Sequence, residues 1–132
     1  METKRPYAYI YLITNLLNNK IYVGKKQLNF YKKVALSKKE KLLPENKRKR
    51  YKIIVTDGGW EKYYGSSQEL KEDIKKYGID NFKKEILQEV YSKSEASYWE
   101  GYWQFHFKVL EIDSYNKWIS LKVYKNNLCS QL

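Results

Sequence analysis

The stretch YAYIYLIT at residues 7–14, answered after a short turn by KIYVGKK at residues 20–26, decides how this 132-residue chain is read. Tyr7, Tyr9, Tyr11 and Ile13 fall on one face and Ala8, Ile10 and Leu12 on the other, the two-residue period of a β-strand. Asn18-Asn19 tolerates the left-handed backbone that a tight reversal needs, so Lys20–Lys26 is expected to return as the second strand of a hairpin. Tyr11 and Tyr22 lie on its two arms, where an antiparallel pair can hold them on one face. Tyrosine is also a common strand residue, and among 14 in the chain some pair by chance.

Outward from the hairpin the text changes. Residues from about 27 to 62 are lysine-dense, with a helix-like piece expected around Asn29 to Leu43, then Pro44, the basic run Lys47-Arg48-Lys49-Arg50 and an Asp57-Gly58-Gly59 turn. The basic run is either a solvated segment or a contact to a nucleic-acid backbone. Ser66-Ser67-Gln68-Glu69 has the spacing of a capping box. Leu70, Ile74 and Tyr77 share the face of the helix that follows, and Gly78 is placed to end it. Asn81 to Val90 suits a strand. Ser92-Lys93-Ser94-Glu95 opens a second helix through about Leu110, with Ala96, Trp99, Trp103, Phe107 and Leu110 as its apolar stripe. Tyr115 to Tyr124 fits strand or helix alike.

Length points to a single domain over residues 1–132 carrying the lysine-rich segment as an insertion. The formal charge of +11, from 26 basic against 15 acidic residues, favours a polyanionic partner, nucleic acid before an anionic membrane. The excess of lysine over arginine, of which there are three, can also reflect an A+T-rich genome. One cysteine, Cys129, forms no internal disulfide, and the default is a reducing, cytoplasmic compartment. No apolar run approaches the length of a membrane helix, and the N-terminus lacks a signal-peptide core.

Glu100 stands out before any comparison. It follows Trp99 and precedes Trp103 and Phe107, at the edge of an apolar stripe, where a lone buried carboxylate costs several kcal/mol, of order ~3–5 when unpaired. It is therefore paired with a lysine, bound to a cation, or set at the rim of a cleft. Gly101 beside it weakens the helix unless another backbone packs closely there. His106, the only histidine, points away from the Glu100 face and reads as structural or exposed.

Tyr9-Ile10-Tyr11 followed by Ile21-Tyr22-Val23-Gly24 resembles the signature of the GIY-YIG nucleases, with Tyr9 in place of the leading glycine and Val23 in place of the second isoleucine. The likeness continues through Tyr64-Gly65-Ser66-Ser67, Leu70, Ile74, Lys75-Lys76-Tyr77-Gly78, Asn81-Phe82 and Glu85-Ile86-Leu87. It extends to Glu100-Gly101-Tyr102-Trp103 and Tyr115-Asn116. These pieces span about residues 7–124, and their joint order is more specific than any one of them.

The resemblance implies an α+β fold, a small antiparallel three-stranded sheet flanked by helices, and an endonuclease that hydrolyses phosphodiester bonds of duplex DNA. It implies Tyr11 as general base and Tyr22 as its positioning partner. Glu100 would be the ligand of Mg²⁺ or Mn²⁺, and Asn116 would orient the metal site or the substrate. A phenol base needs nearby cations, for which Lys25, Lys26 and Lys32 are available. One departure matters. Where many members carry a phosphate-contacting arginine after the second strand, this chain has none between Gly24 and Arg48. Lys32, Lys25 or Lys26 would have to substitute, without arginine's two-pronged geometry. Arg48 or Arg50 would otherwise have to return from the insertion. Lys25 and the run Lys47, Arg48, Lys49 and Arg50 are the expected nucleic-acid contacts. Specificity would come from the insertion, the C-terminus, a homodimer or a partner protein. The alternatives are a catalytically impaired nucleic-acid-binding module of the same fold, and an RNA-binding protein.

Overall fold

The structure, a computed structural model, describes residues 5–119. They form two compact units, one made of the chain up to Leu28 and from Gly59 onward, the other of Asn29–Gly58.

In the first unit the hairpin forms as its alternation requires. Strand β1 (Ala8–Asn15) pairs antiparallel with β2 (Ile21–Gln27), and Asn19 takes a φ of 61° in the turn between them. A strand numbered β5 in chain order (Phe82–Val90) adds to the other side of β1, giving a three-stranded antiparallel sheet of order β2-β1-β5. The α+β class and the three-stranded sheet implied by the family resemblance are thus present. Helix α2 (Gln68–Tyr77) covers one face and α3 (Lys93–His106) the other.

Both faces of β1 are buried, which explains why neither half of its alternation is polar. Ala8, Ile10 and Leu12 meet Val23, Val90, Ala96 and Val109 on the α3 side, with Trp99, Trp103 and Phe107 packed around them. Tyr11 and Ile13 meet Leu70, Phe82 and Tyr115 on the α2 side, with Trp60, Tyr63 and Tyr64 from the approach to that helix. Burying aliphatic and aromatic side chains on two faces contributes about 1.5–3 kcal/mol each and holds the thin sheet between its helices.

The helix ends differ from expectation in instructive ways. The cap of α2 is Ser67, whose hydroxyl accepts from the Leu70 N–H, so the anticipated Ser66–Glu69 box does not form. Glu69 is held instead by Lys20 and by Lys117 at 2.8 Å, and Ser66 is left for Tyr22. Ser92 caps α3 as expected, but Glu95 accepts from the N–H of Tyr91. That helix ends at His106. Lys108 at φ 54° turns the chain so that Val109 is buried and Leu110 remains 53% exposed, replacing the last member of the expected stripe. His106 is exposed and stacks on Tyr102.

Residues 114–119 have no regular secondary structure, and the remainder of the ambiguous Tyr115–Tyr124 segment, like Cys129, lies outside the described residues. Tyr115 is nevertheless a keystone. Its N–H donates to the Ile21 carbonyl, its hydroxyl donates to Asp73 at 2.7 Å, and it accepts from the amide of the fully buried Asn15 at 3.1 Å. Burial, with Asp73 adding to it and Asn15 opposing, pushes its phenol up to about 12. Tyr115→Phe is expected to cost about 1–2 kcal/mol by stranding Asn15 and Asp73, read by urea unfolding at neutral pH. Because the folded phenol resists ionisation, its contribution to stability is complete below the ordinary value of 10.0 and declines as pH rises towards 12. The variant should lose that part of the alkaline slope.

The second unit corrects the expected helix over Asn29 to Leu43. Asn29–Ala35 is strand β3, paired in antiparallel register with β4 (Tyr51–Asp57), and only Lys38–Lys41 forms a short helix, α1, capped by a Ser37–Glu40 box. Lysine is a good helix former, but Ile53-Ile54-Val55-Thr56 offers β-branched partners to Lys33, Lys32, Tyr31 and Phe30. That pairing, distant in sequence, outweighs the local preference.

Candidate active site

Strand β2 is an edge strand, and the site is built around its edge. Tyr115 and Asn116 run beside it. The Asn116 side-chain amide accepts from the Val23 N–H and donates to the Val23 carbonyl, both at 2.9 Å, completing the strand's hydrogen bonding as a neighbouring backbone would. Gln104 of α3 donates to the same carbonyl at 3.1 Å. Around this seam opens a cavity of about 440 Å³ lined by Tyr22, Ser66, Glu69, Glu100, Gln104 and Asn116 among others.

Tyr22 is opposite Ile13 and Tyr11 is opposite Gly24, so the two tyrosines are diagonal neighbours on one face, with ring centroids 6.1 Å apart. The Tyr22 hydroxyl is 3.2 Å from that of Ser66 and reaches the cavity. Tyr11 lies behind it, fully buried, its hydroxyl beside that of Tyr63 without a hydrogen bond of regular geometry. Trp60, Tyr22 and Tyr63 surround its ring.

Two glycines make room for this arrangement. A Cβ on Gly24 would sit 2.6 Å from the Tyr11 hydroxyl oxygen and 2.8 Å from the Tyr22 ring, and one on Gly65, whose φ is 87°, would sit 2.7 Å from Tyr22. The last residue of the Ile21–Gly24 motif is therefore demanded by close approach of two rings. Gly24→Ala is expected to lower stability by about 1–3 kcal/mol through forced displacement of both tyrosines, measured by thermal unfolding. Any strand-cleaving activity should fall with it, at temperatures where the variant is still folded.

Glu100 is half-buried on α3. Burial raises its pKa, opposed by the charge and backbone N–H of Lys25, whose ammonium also reaches the Ser97 hydroxyl at 3.2 Å. The Tyr11 phenol is raised strongly, first by burial, then by Tyr22, Tyr63 and Glu100. That is opposite to what a phenolate requires, and burial, the neighbouring phenols and a carboxylate dominate it. Lys26 rests over the Tyr63 ring at 4.4 Å, Lys25 serves Glu100, and Lys32 lies exposed on β3 in the second unit, as do Lys47, Arg48, Lys49 and Arg50 in its loop. The expected cationic support of Tyr11 is thus not the arrangement found in the first unit.

Several residues were not anticipated. Trp60 and Tyr63 wall in Tyr11. Lys84 donates to the carbonyls of Trp60 at 2.7 Å and Tyr63 at 3.1 Å while stacking over the Trp60 ring at 4.0 Å. It fastens that wall to β5, and burial lowers its pKa. The aromatic density of Trp60 to Tyr64 was the available signal. Gln104 carried a weaker one, lying one helical turn beyond Glu100 on the same face.

Among the described residues no group of three or more His, Cys, Asp or Glu side chains gathers to hold a metal. A multidentate protein cage is therefore not what this site offers. One half-buried carboxylate opening on a polar cavity does fit a hydrated magnesium-type ion, which takes few protein ligands and keeps its waters.

Residues 1–126 match the family model described as "Putative endonuclease segE, GIY-YIG domain". The chain belongs to this GIY-YIG endonuclease family. It is 36% identical over 107 residues to "Putative endonuclease segD" of Enterobacteria phage T4, covering 81% of this chain and 35% of that protein. To "Putative endonuclease segE" of the same phage it is 30% identical over 94 residues, covering 71% of this chain and 32% of that protein. The chain thus spans about a third of the length of these curated relatives. A solved structure, a point mutant of the catalytic domain of intron endonuclease I-TevI, is 24% identical and superposes with a TM-score of 0.48, covering 89% of this chain and 98% of that one. No helix of the described residues is long and apolar enough to cross a membrane.

Proposed function

We propose that this chain is an endonuclease domain that hydrolyses phosphodiester bonds of duplex DNA with a divalent cation, Mg²⁺ or Mn²⁺, held through Glu100. The observation that carries the reading is the convergence of Tyr22, Glu100 and Asn116 on one cavity, with Tyr11 immediately behind Gly24, in a member of the GIY-YIG family. A divalent cation bound through Glu100 supplies positive charge that neutralises the scissile phosphate, stabilises the leaving oxygen, and offsets the carboxylate's upward pull on the Tyr11 phenol.

The chain's own residues do the rest. The Tyr22 hydroxyl, oriented by Ser66, orders the attacking water at the cavity wall. As its phenolate, Tyr11 would take the water's proton and become the neutral phenol; burial disfavours that phenolate, so the step depends on cationic charge near Glu100 to populate it. Asn116 and Gln104 hold Val23, and with it Tyr22 and Gly24, beside the Glu100 helix, so that Asn116 acts by positioning β2. Lys25 and Lys26 supply charge for the phosphate in place of an arginine, and the Lys47–Arg50 run contacts the backbone.

The absence of arginine from the cavity lining favours one second reading, a binding module with impaired chemistry. Incubation of supercoiled plasmid with Mg²⁺ and with EDTA separates the two. Metal-dependent nicked or linear product supports the nuclease. Salt-sensitive binding with intact DNA supports the binding module instead.

A further inference from the structure

The second unit presents a surface that the cleavage chemistry does not use. Strands β3 and β4 form a two-stranded ribbon of seven residues per strand, about 24 Å long at the usual strand rise. Every residue of β4 is exposed. On one side of the ribbon the cross-strand pairs Tyr31–Val55, Lys33–Ile53 and Ala35–Tyr51 line up. Tyr31 is 65%, Ile53 69%, Val55 56% and Tyr51 51% exposed. Four large apolar side chains on one solvent-facing strip are a contact surface rather than scattered surface residues.

What the strip fits is indicated by the charge around it. Residues 29–58 hold eight lysines and two arginines against three acids, so this unit carries +7 of the chain's +11. Lys33 lies within the strip, its ammonium 4.4 Å over the Tyr51 ring, and Lys47 to Arg50 are exposed in the loop that joins the strands. That loop is braced: Ser37 caps α1, Lys52 pairs with Glu40 at 2.7 Å, Asn46 donates to the Glu40 carbonyl at 2.8 Å, and Leu36 is buried. An unsupported two-stranded hairpin is marginal in water, and this bracing lets it project its side chains in fixed register.

We propose that the Asn29–Gly58 ribbon is a reading arm that enters the major groove of duplex DNA with the Tyr31, Tyr51, Ile53 and Val55 strip against the thymine methyl groups. The major groove, about 12 Å wide, admits a two-stranded ribbon. Between Tyr31 and Ala35, and across from them between Tyr51 and Val55, the strip carries no Arg, Asn or Gln to make paired hydrogen bonds with base edges, and its one lysine, Lys33, is drawn over the Tyr51 ring, so its apolar atoms leave the thymine methyl as the main base feature it can recognise. The flanking lysines and arginines meet the phosphates on either side, which sets affinity and register without reading sequence.

This rests on duplex DNA being the substrate, but its test does not depend on cleavage. Binding of the full chain to a duplex of about 30 bp is measured in EDTA over a series of salt concentrations, with the same duplex prepared with uracil in place of thymine. The unaltered protein is expected to bind the thymine duplex several-fold more tightly than the uracil duplex and to protect guanine N7 from methylation. Tyr31→Thr/Ile53→Thr/Val55→Thr keeps strand-forming residues while removing the strip. It should bind about tenfold more weakly, lose the thymine preference, and keep its salt slope. Val55→Thr alone, nearly isosteric, should reduce the thymine preference without disturbing the ribbon. Equal thymine preference in the unaltered protein and both variants would overturn the proposal, as would tighter binding to RNA than to duplex DNA. So would a dimer that becomes monomeric in the triple variant, which would make the strip a contact between copies. A protein that binds as expected but never cuts counts against the nuclease reading alone; one that cuts while the variants bind unchanged counts against the arm alone.

Discussion

Glu100→Gln is expected to reduce Mg²⁺-dependent nicking of supercoiled plasmid by on the order of a thousandfold, since it removes the charged ligand and with it several kcal/mol of phosphate neutralisation. The same substitution is expected to leave the fold as stable or to stabilise it. Glutamine keeps the shape, and the native structure disfavours the carboxylate: burial raises the Glu100 pKa above 4.5, with Lys25 only partly opposing. A carboxyl whose folded pKa is raised contributes stability that is complete below its unfolded pKa and declines as pH rises through the folded value. Removing it abolishes that decline. The melting temperature of the variant relative to the unaltered protein should therefore be higher at about pH 8 than at about pH 4. A loss of activity accompanied by a large loss of stability at both pH values would make Glu100 a structural ion pair with Lys25. Retained nicking would remove it from the metal site altogether.

Tyr11→Phe should separate activity from stability in the same way. The hydroxyl is buried without a regular hydrogen bond, so its removal abolishes little that the fold depends on, and unfolding free energy should change by less than about 1 kcal/mol. If the phenol accepts the proton of the attacking water, nicking should fall by about 10²–10⁴, the usual contribution of a general base. Tyr22→Phe provides the contrast, because its hydroxyl reaches the cavity and Ser66 while Tyr11 sits behind it. A Tyr22 variant that loses more activity than the Tyr11 variant would move the base assignment to Tyr22. The direction of the Tyr11 pKa sharpens this comparison. The phenol is raised first by burial, then by Tyr22 and Tyr63, with Glu100 adding least, so a divalent ion at Glu100 should ease its ionisation by removing that last contribution. The pH at which nicking rises should then shift with the metal supplied.

The hairpin and both long helices were legible because their causes are local. Alternating side chains over residues 7–14, a left-handed Asn19, serine caps and a terminating Gly78 each specify geometry within a few residues. The family was legible too, since Tyr11, Tyr22, Gly24, Glu100 and Asn116 keep the motif order that the family match covers. What local pattern could not contain was pairing at a distance. Lysine-rich text over Asn29 to Leu43 reads as helix until Tyr51–Val55 is brought alongside it, when it becomes strand over Asn29–Ala35. Glu69 has the spacing of a capping partner until Lys20 and Lys117 claim it.

The site divides along the same line. The family resemblance proposed Tyr11, Tyr22, Glu100 and Asn116 as site residues, and Glu100 alone stood out beforehand, as a carboxylate at the edge of an apolar stripe. Only the folded chain showed that Asn116 spends its amide on Val23 and that Gly24 and Gly65 are spaces for tyrosine rings. The tertiary structure also turned the Tyr11 phenol away from the phenolate that nearby lysines had suggested, through burial and a carboxylate arriving from a helix far along the chain. Side-chain identity is written in one residue. Desolvation and close approach belong to what surrounds it, and that is assembled only when β1, β2 and α3 pack together.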